Sequence, residues 1–288
     1  MINGQSALAL LKFLFKGNQL IYLEYPANGH AKYLAPNCIP IFEQLLFRHK
    51  VSLVEFGLLL ASQLEDLKKI SFTQSDEQSP FWKNDTLSAL DGASLYTIVR
   101  RYAPRKVIEI GSGNSTKFMH QAAKDHQGVG GTATHITSID PNPRAYVDEI
   151  CDEVHRTTLE VIDFGIFEKL EEGDFIFFDG SHRCFQNNDV SVFFLEILPR
   201  LKKGILVGIH DIWLPYDYPP SWEHRFYSEQ IVLGAYWIGK GADLELVASN
   251  MYASKSPGLR DQYQAFLDQL GINASEQYRD GGLFLIKT

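Results

Sequence analysis

The chain of 288 residues is short of several things, and each shortage removes a class of protein. Cysteine is scarce: Cys38, Cys151 and Cys184 are an odd, scattered set with no C-x-x-C. That argues against a disulfide framework and against a structural zinc site, and it points to a reducing, cytoplasmic setting. Positive charge is outnumbered, with 27 Lys and Arg against 35 Asp and Glu and a net charge of −8 when histidine is neutral. Nucleic acid is therefore not an expected partner, because duplex binding depends on neutralising phosphates with Lys and Arg. Long apolar runs are also missing. Ala7–Phe15 is broken by Lys12, is followed by Lys16 and lacks a small-residue cleavage site, so it reads poorly as a signal peptide. Val51–Ala61 is too short to span a bilayer and carries Glu55. No membrane partner is expected. Neither an internal repeat nor a low-complexity tract is present.

What is present is an ordinary globular composition, 45% apolar and 22% charged, organised around one stretch. Lys106–Thr116 reads K-V-I-E-I-G-S-G-N-S-T. Val107–Ile110 is a short, β-branched apolar run, the mark of a buried strand. Gly111 and Gly113 follow, where a turn must be sharp and the backbone must approach a ligand closely. Ser115 or Thr116 then caps a helix running to about His126. Strand, glycine turn and helix N-terminus make a cradle for a nucleotide-like ligand at the carboxyl edge of a parallel sheet. The dinucleotide fingerprint would need a third glycine where Thr116 stands, which argues against a nicotinamide-dependent oxidoreductase.

Around this stretch the pattern alternates between strand and helix. A helix is expected over Leu87–Tyr102, with Asp85 and Thr86 as caps and Pro104 closing it. Strands are expected at Val107–Ile110, His135–Asp140, Leu159–Ile162, Asp174–Asp179, Gly204–His210, Leu244–Ala248 and Gly282–Lys287. Helices are expected at Arg144–Ile150, Asn188–Leu198, Ser228–Ile238 and Leu259–Leu270. Alternation of this kind implies an α/β, Rossmann-like doubly wound sheet. Residues 1–80 stand apart from it. Ile41–Phe47 and Val51–Leu67 have helical spacing, and Thr73–Pro80 is polar enough for a linker. A mainly helical N-terminal extension or cap over 1–80 and an α/β domain over 81–288 follow. The extension reads equally as a packing element and as an arm for homo-oligomer formation.

Ligands of such a sheet bind outside the carboxyl ends of its strands, so the strand-end residues carry the chemistry. These are Glu109, Asp140, Asp163, Asp179, His210 and Asp211, and several are acidic. Asp140 is placed to accept ribose hydroxyls. Asp163 and its neighbour Phe164 sit where an adenine amino group and ring face would lie. Asp179-Gly-Ser-His182 follows the fourth strand and Ile209-His-Asp-Ile212 the fifth. Two carboxylates with neighbouring imidazoles suit either a hard divalent cation or an oriented general base. The loop Trp213–Arg225 is stiffened by Pro215, Pro219 and Pro220 and is dense in aromatics. It leaves the fifth strand at the site and suits an acceptor-binding wall.

From Asp85 onward, E-I-G-S-G-N-S-T, S-I-D-P-N-P, F-I-F-F-D-G-S-H, G-I-L-V-G-I-H-D-I and W-L-P-Y-D-Y-P-P together resemble one family. They look like the bacterial class I S-adenosylmethionine-dependent methyltransferases of the "methyltransferase domain 24" kind, relatives of sugar and small-molecule O-methyltransferases. The resemblance implies seven strands with the last antiparallel. It implies S-adenosylmethionine over the first two strand tips, held by Glu109, Gly111, Ser112, Gly113, Ser115, Asp140, Asp163, Phe164 and Asp179. The acceptor would be a small molecule or a sugar hydroxyl. The base would be His182 or His210, with Asp211 orienting it. A metal, Mg2+ or Mn2+, would sit on Asp179, His210 and Asp211, although metal-dependent relatives carry a carboxylate where His210 stands. A degenerate methyltransferase fold acting as a scaffold is the non-enzyme alternative.

Overall fold

Val107, Ile108 and Ile110 are buried in strand β1 (Lys106–Ile110), which lies at the centre of the sheet because it has an apolar partner on each side. A computed structural model describes residues 24–25, 29–240, 244–272 and 280–288. On one side β1 pairs in parallel with β2 (His135–Ile139), and on the other with β4 (Phe175–Phe178), whose Phe-Ile-Phe-Phe is wholly buried. Beyond β2 lies β3 (Glu153–His155), and beyond β4 lies β5 (Leu206–Ile209), both also parallel. Strand β7 (Phe284–Lys287) runs antiparallel to β5 and to β6 (Glu245–Ser249). The seven-stranded order is β3-β2-β1-β4-β5-β7-β6. The order reverses direction between β1 and β4, and the chain crosses to opposite faces there. A crevice therefore opens past the carboxyl ends of these two strands.

The helices supply the covering layers. Among the described residues, α1 (Pro40–Arg48) and α2 (Lys50–Ser62) come first. Helix α3 (Ala89–Tyr102) is capped by Ser88, whose hydroxyl accepts the Asp91 N–H at 3.0 Å, rather than by Asp85 or Thr86. Helix α4 (Asn114–Gly128) follows the glycine turn. After β5 come α5 (Glu229–Lys240), α6 (Asn250–Lys255) and α7 (Arg260–Gln269). Among the described residues, no helix is long and apolar enough to cross a membrane.

Three expected elements differ. Leu159–Ile162 is not a strand: it holds a 3-10 turn at Leu159–Val161, and the third strand is Glu153–His155. That strand is an edge with one neighbour, so it needs no continuous apolar run, and apolarity alone pointed to the wrong segment. Arg144–Ile150 forms no helix; its end is a turn in which the Ile150 and Cys151 N–H groups donate to the Val147 carbonyl at 3.1 and 3.0 Å. The segment expected as one helix from Asn188 starts as a regular turn over Asp189–Val192, widens to a π turn over Phe193–Ile197, and ends in a tight turn containing Pro199.

The chain divides into two compact units at residue 30, Met1–His30 and Ala31–Thr288, and not at the expected boundary of 80. Residues 1–23, including Ala7–Phe15, lie outside the described residues. The physical reason for the different boundary is burial. Leu46, Leu53, Leu60 and Leu67 are fully buried in the same core as the sheet. Phe42 of α1 stacks on Trp237 of α5 with ring centroids 6.0 Å apart. The Tyr263 hydroxyl of α7 donates to the Leu53 carbonyl at 2.7 Å. Helices α1 and α2 are part of the α/β unit, which buries Phe42, Leu45, Leu46, Leu53, Phe56 and Leu60, while Ile41, Phe47, Val51 and Leu58 stay exposed.

Candidate active site

The turn after β1 is shaped by one backbone conformation. Gly111 has φ +81°, and a Cβ there would stand 1.9 Å from the Asp179 carbonyl oxygen. The end of β4 is thus pressed against the turn, which only glycine permits. Ser112 comes next, and its N–H donates to Asp140 Oδ2 at 2.8 Å, while the Asn142 N–H donates to Oδ1 at 2.7 Å. Asp140 is fixed at the tip of β2 by these two bonds. Gly111, Ser112, Gly113, Ser115 and Asp140 all line one cavity.

Glu109, Asp163 and Phe164, expected in the same cradle, do not line it. Glu109 is fully buried and turns back into the start of α4, where it accepts the Ser115 hydroxyl at 2.6 Å and the Thr116 hydroxyl at 2.5 Å. Burial pushes its carboxyl up to about 8, against the pull of these hydroxyls. Its place is to anchor the helix. Asp163 accepts the Gly165 N–H at 3.0 Å in a turn, and Phe164 packs against the core beside Phe167. The displaced third strand brings Thr158, Leu159 and Glu160 to the cavity wall instead.

The cavity measures about 1400 Å³ and runs from the glycine turn, across the tips of β4 and β5, to the aromatic loop beyond. That exceeds the ~300–1,000 Å³ usual for one small-molecule site, so it has room for two ligands side by side.

At its centre the tips of β4 and β5 assemble a chain of alternating carboxylates and imidazoles. His210 presents Nε2 to Asp91 Oδ2 at 3.1 Å and Nδ1 to Asp179 Oδ1 at 3.2 Å. His182 presents Nε2 to the same Asp179 oxygen at 3.2 Å and to Asp211 Oδ2 at 3.4 Å, and Nδ1 to Glu229 Oε2 at 2.8 Å. Asp211 Oδ1 also lies 3.7 Å from His210 Nδ1. His182, His210, Asp179 and Asp211 are thus brought together as the sequence indicates. Both His182 and Asp211 sit in the left-handed backbone region, with φ of 62° and 54°. Non-glycine residues occupy that region at a cost, and such strain gathers at functional sites.

Asp91 and Glu229 are the members that sequence reasoning missed. Asp91 is buried on α3, where it also accepts the Gly282 and Leu283 N–H groups, both at 2.9 Å. Glu229 is fully buried at the start of α5. A signal for Asp91 was available: it is the one acid in an otherwise inward-facing stripe of Leu90, Ala93 and Leu95.

The network drives its carboxylates apart. Burial alone would raise Asp179, but the charges of His210 and His182 and their hydrogen bonds hold it far below the usual carboxylate range. Asp211 is raised, because burial outweighs the same imidazoles there. Burial likewise lifts Glu229 to about 7 against its bond to His182. Both imidazoles are raised well above the ordinary histidine value: burial opposes their charge, but the flanking carboxylates prevail.

The metal set expected at Asp179, His210 and Asp211 does not fit this geometry. Among the described residues, no three His, Cys, Asp or Glu side chains close on a point that could hold an ion. Both nitrogens of His210 face carboxylates, so its ring is held as a doubly hydrogen-bonded cation with no lone pair to offer.

The far wall of the cavity is aromatic. Trp222 meets Trp213, Tyr218 and Tyr227 at centroid distances of 5.5, 6.0 and 5.6 Å. Tyr227 in turn lies 4.7 Å from the His182 ring. Asp217 of this loop does not face the cavity; it accepts the Lys32 and Tyr33 N–H groups, both at 2.8 Å.

Residues 108–212, which span the glycine turn and the tips of β4 and β5, match the family model described as a methyltransferase domain. The match covers 105 of the 288 residues, the part of the chain that builds the cavity's inner wall. The seven-stranded order with β7 antiparallel is the arrangement that the family resemblance implies. No curated protein matches the chain. Solved structures with a similar course include an O-methyltransferase from Bacillus cereus in complex with SAH, at 14% identity and a TM-score of 0.42, over 80% of this chain and 90% of that one. Another is the plantazolicin methyltransferase BpumL in complex with a pentazolic desmethylPZN analog and SAH, at 17% identity and 0.39, over 68% of this chain and 83% of that one. A third is CmcI with Mg and SAM, at 16% identity and 0.38, over 69% of this chain and 72% of that one.

Proposed function

We infer that the chain is an S-adenosylmethionine-dependent methyltransferase, and that it transfers the methyl group to a hydroxyl of a small molecule. The reading is carried by one observation: carboxylates of opposite proton affinity, Asp179 and Asp211, share one cavity with the Gly111–Ser115 turn and Asp140. In this reading the turn and Asp140 hold the methyl donor, with Asp140 receiving ribose hydroxyls, and the acceptor lies between Asp179, Asp211 and the aromatic wall. The reaction is an in-line displacement. The acceptor oxygen bonds to the methyl carbon, the carbon–sulfur bond breaks, and S-adenosylhomocysteine leaves. Alignment of donor and acceptor in the cavity supplies most of the acceleration.

The hydroxyl proton needs a base. His210 is enclosed between Asp91 and Asp179 and already carries its proton. Asp211 is the better candidate, because it opens to the cavity and burial raises its affinity for a proton. Asp179 stays ionised and fixes both imidazoles, which act as positioning groups. Asp211→Asn should lower kcat by about 10²-fold or more, the scale of lost general-base catalysis, with S-adenosylhomocysteine affinity retained. Calorimetry with S-adenosylhomocysteine, followed by labelled-methyl transfer to a panel of hydroxylated compounds, tests the reading. No binding of the nucleoside would refute it, and binding without turnover on any hydroxylated acceptor would leave a scaffold. Dialysis against a chelator should leave activity intact; loss restored by Mg2+ or Mn2+ would place a cation among Asp179, His210 and Asp211.

A further inference from the structure

The far wall of the cavity carries two guanidinium groups that the transfer chemistry does not use. Arg183 follows His182, and its guanidinium carbon lies 5.2 Å from the Tyr227 ring centre. Arg225 ends the aromatic loop, 4.1 Å from the Trp222 ring centre and 5.5 Å from that of Tyr227. Both side chains are partly buried and line the cavity. They are held in place rather than neutralised. Arg183 Nε donates to the Arg225 carbonyl at 2.7 Å and its Nη1 to the Ser181 carbonyl at 3.3 Å, while Arg225 Nη1 reaches the Tyr227 hydroxyl at 3.5 Å. Among the described residues, no carboxylate forms an ion pair with either group. Asp189, which also lines the cavity, is committed to Ser181, whose N–H and hydroxyl donate to it at 2.5 and 2.7 Å.

Stacking on aromatic faces fixes the plane of a guanidinium and leaves its outer N–H edge free. Two such edges side by side, in a chain of net charge −8, form a receptor for a planar or tetrahedral anion. We propose that the acceptor is anionic, and that Arg183 and Arg225 bind a carboxylate or phosphate on the molecule whose hydroxyl is methylated. The inference rests on the cavity being the acceptor site of the transfer described above. Tyr227 sets the scale. Its one ring touches His182 on one side and both guanidinium groups on others, so hydroxyl and anion stand about one ring apart. A hydroxylated aromatic or sugar acid has that spacing. The opposed charges also fix direction: the anion is repelled by Asp179 and Asp211, and the hydroxyl is turned toward them.

Calorimetric titration with phenyl phosphate, benzoate and phenol tests this, with and without S-adenosylhomocysteine. Each anion should bind at least tenfold more tightly than phenol. Arg183→Gln and Arg225→Gln should each cut that preference by at least fivefold and leave S-adenosylhomocysteine affinity unchanged. Anions binding no more tightly than phenol to the unaltered protein would overturn the proposal, as would a preference that survives in the double variant. Failure of S-adenosylhomocysteine to bind would instead remove the methyltransfer reading, and the anion comparison without nucleoside would still stand on its own.

Discussion

Replacing Asp91 by asparagine keeps the shape of the side chain and removes a charge where α3, β5, α6 and the start of β7 meet. Asp91 is 1% exposed. Its Oδ1 accepts the Asn250 amide at 2.8 Å and the Leu283 N–H at 2.9 Å; its Oδ2 accepts the Gly282 N–H at 2.9 Å and faces His210 Nε2 at 3.1 Å. An asparagine has one oxygen for these two sides. Whichever way it turns, its NH2 points at a backbone N–H, of Leu283 or of Gly282. Leaving one buried donor unsatisfied costs about 1–3 kcal/mol. The His210 cation also loses a carboxylate, and breaking a buried ion pair costs about 3–5 kcal/mol in total. Guanidinium unfolding at pH 7, followed by tryptophan fluorescence, should show a loss of that size with an unchanged m-value. A loss below about 1 kcal/mol would refute the premise that Asp91 is an ionised partner of His210. The pH dependence gives a second reading. Burial would raise Asp91, but the hydrogen bond and charge of His210 hold it low. Its contribution is therefore present above its unfolded value of about 3.9 and lost as the pH falls through the folded one. His210 is raised, so its contribution is complete below about 6.5 and is lost as the pH rises through its folded value. The variant should lose the Asp91 part of the acid limb, and its alkaline limb should be shallower and end at lower pH, because the folded value of His210 falls toward the unfolded one.

Gly111→Ala should destabilise the protein by at least about 2 kcal/mol, from left-handed strain of about 1–2 kcal/mol plus displacement of the Asp179 backbone, and it should abolish S-adenosylhomocysteine binding; an unchanged dissociation constant would contradict the geometry of the turn. Asp140→Ala should weaken S-adenosylhomocysteine binding by about 1–3 kcal/mol, the scale of hydrogen bonds to a charged group, as read by calorimetry. A chain beginning at Phe81 should show no cooperative unfolding transition, because it loses Leu46, Leu53, Phe56 and Leu60 from the shared core; a sharp transition with nucleoside binding retained would restore a domain boundary near residue 80.

Six of the seven strands, the glycine turn and the family resemblance are legible in the sequence, because these rest on local patterns. The buried Val107–Ile110 run, the two glycines and the acid at the tip of β2 lie within about a helix and a strand of each other, and their meaning does not depend on the rest of the chain. Strand-end position also put His182, His210, Asp179 and Asp211 at one edge before any distance was known. What those residues touch depends on packing between distant parts of the chain. Glu109 and Asp163 occupy strand-end and loop positions that suit a ligand, yet their carboxylates accept hydrogen bonds from the chain itself. Asp91 and Glu229 enter the site from helices far away in sequence, because burial beside an imidazole is a property of packing and leaves no periodic trace. Helices α1 and α2 read as a separate arm for the same reason: their apolar faces are visible in sequence, but the surface that covers them belongs to α5 and α7, and only the fold brings it there.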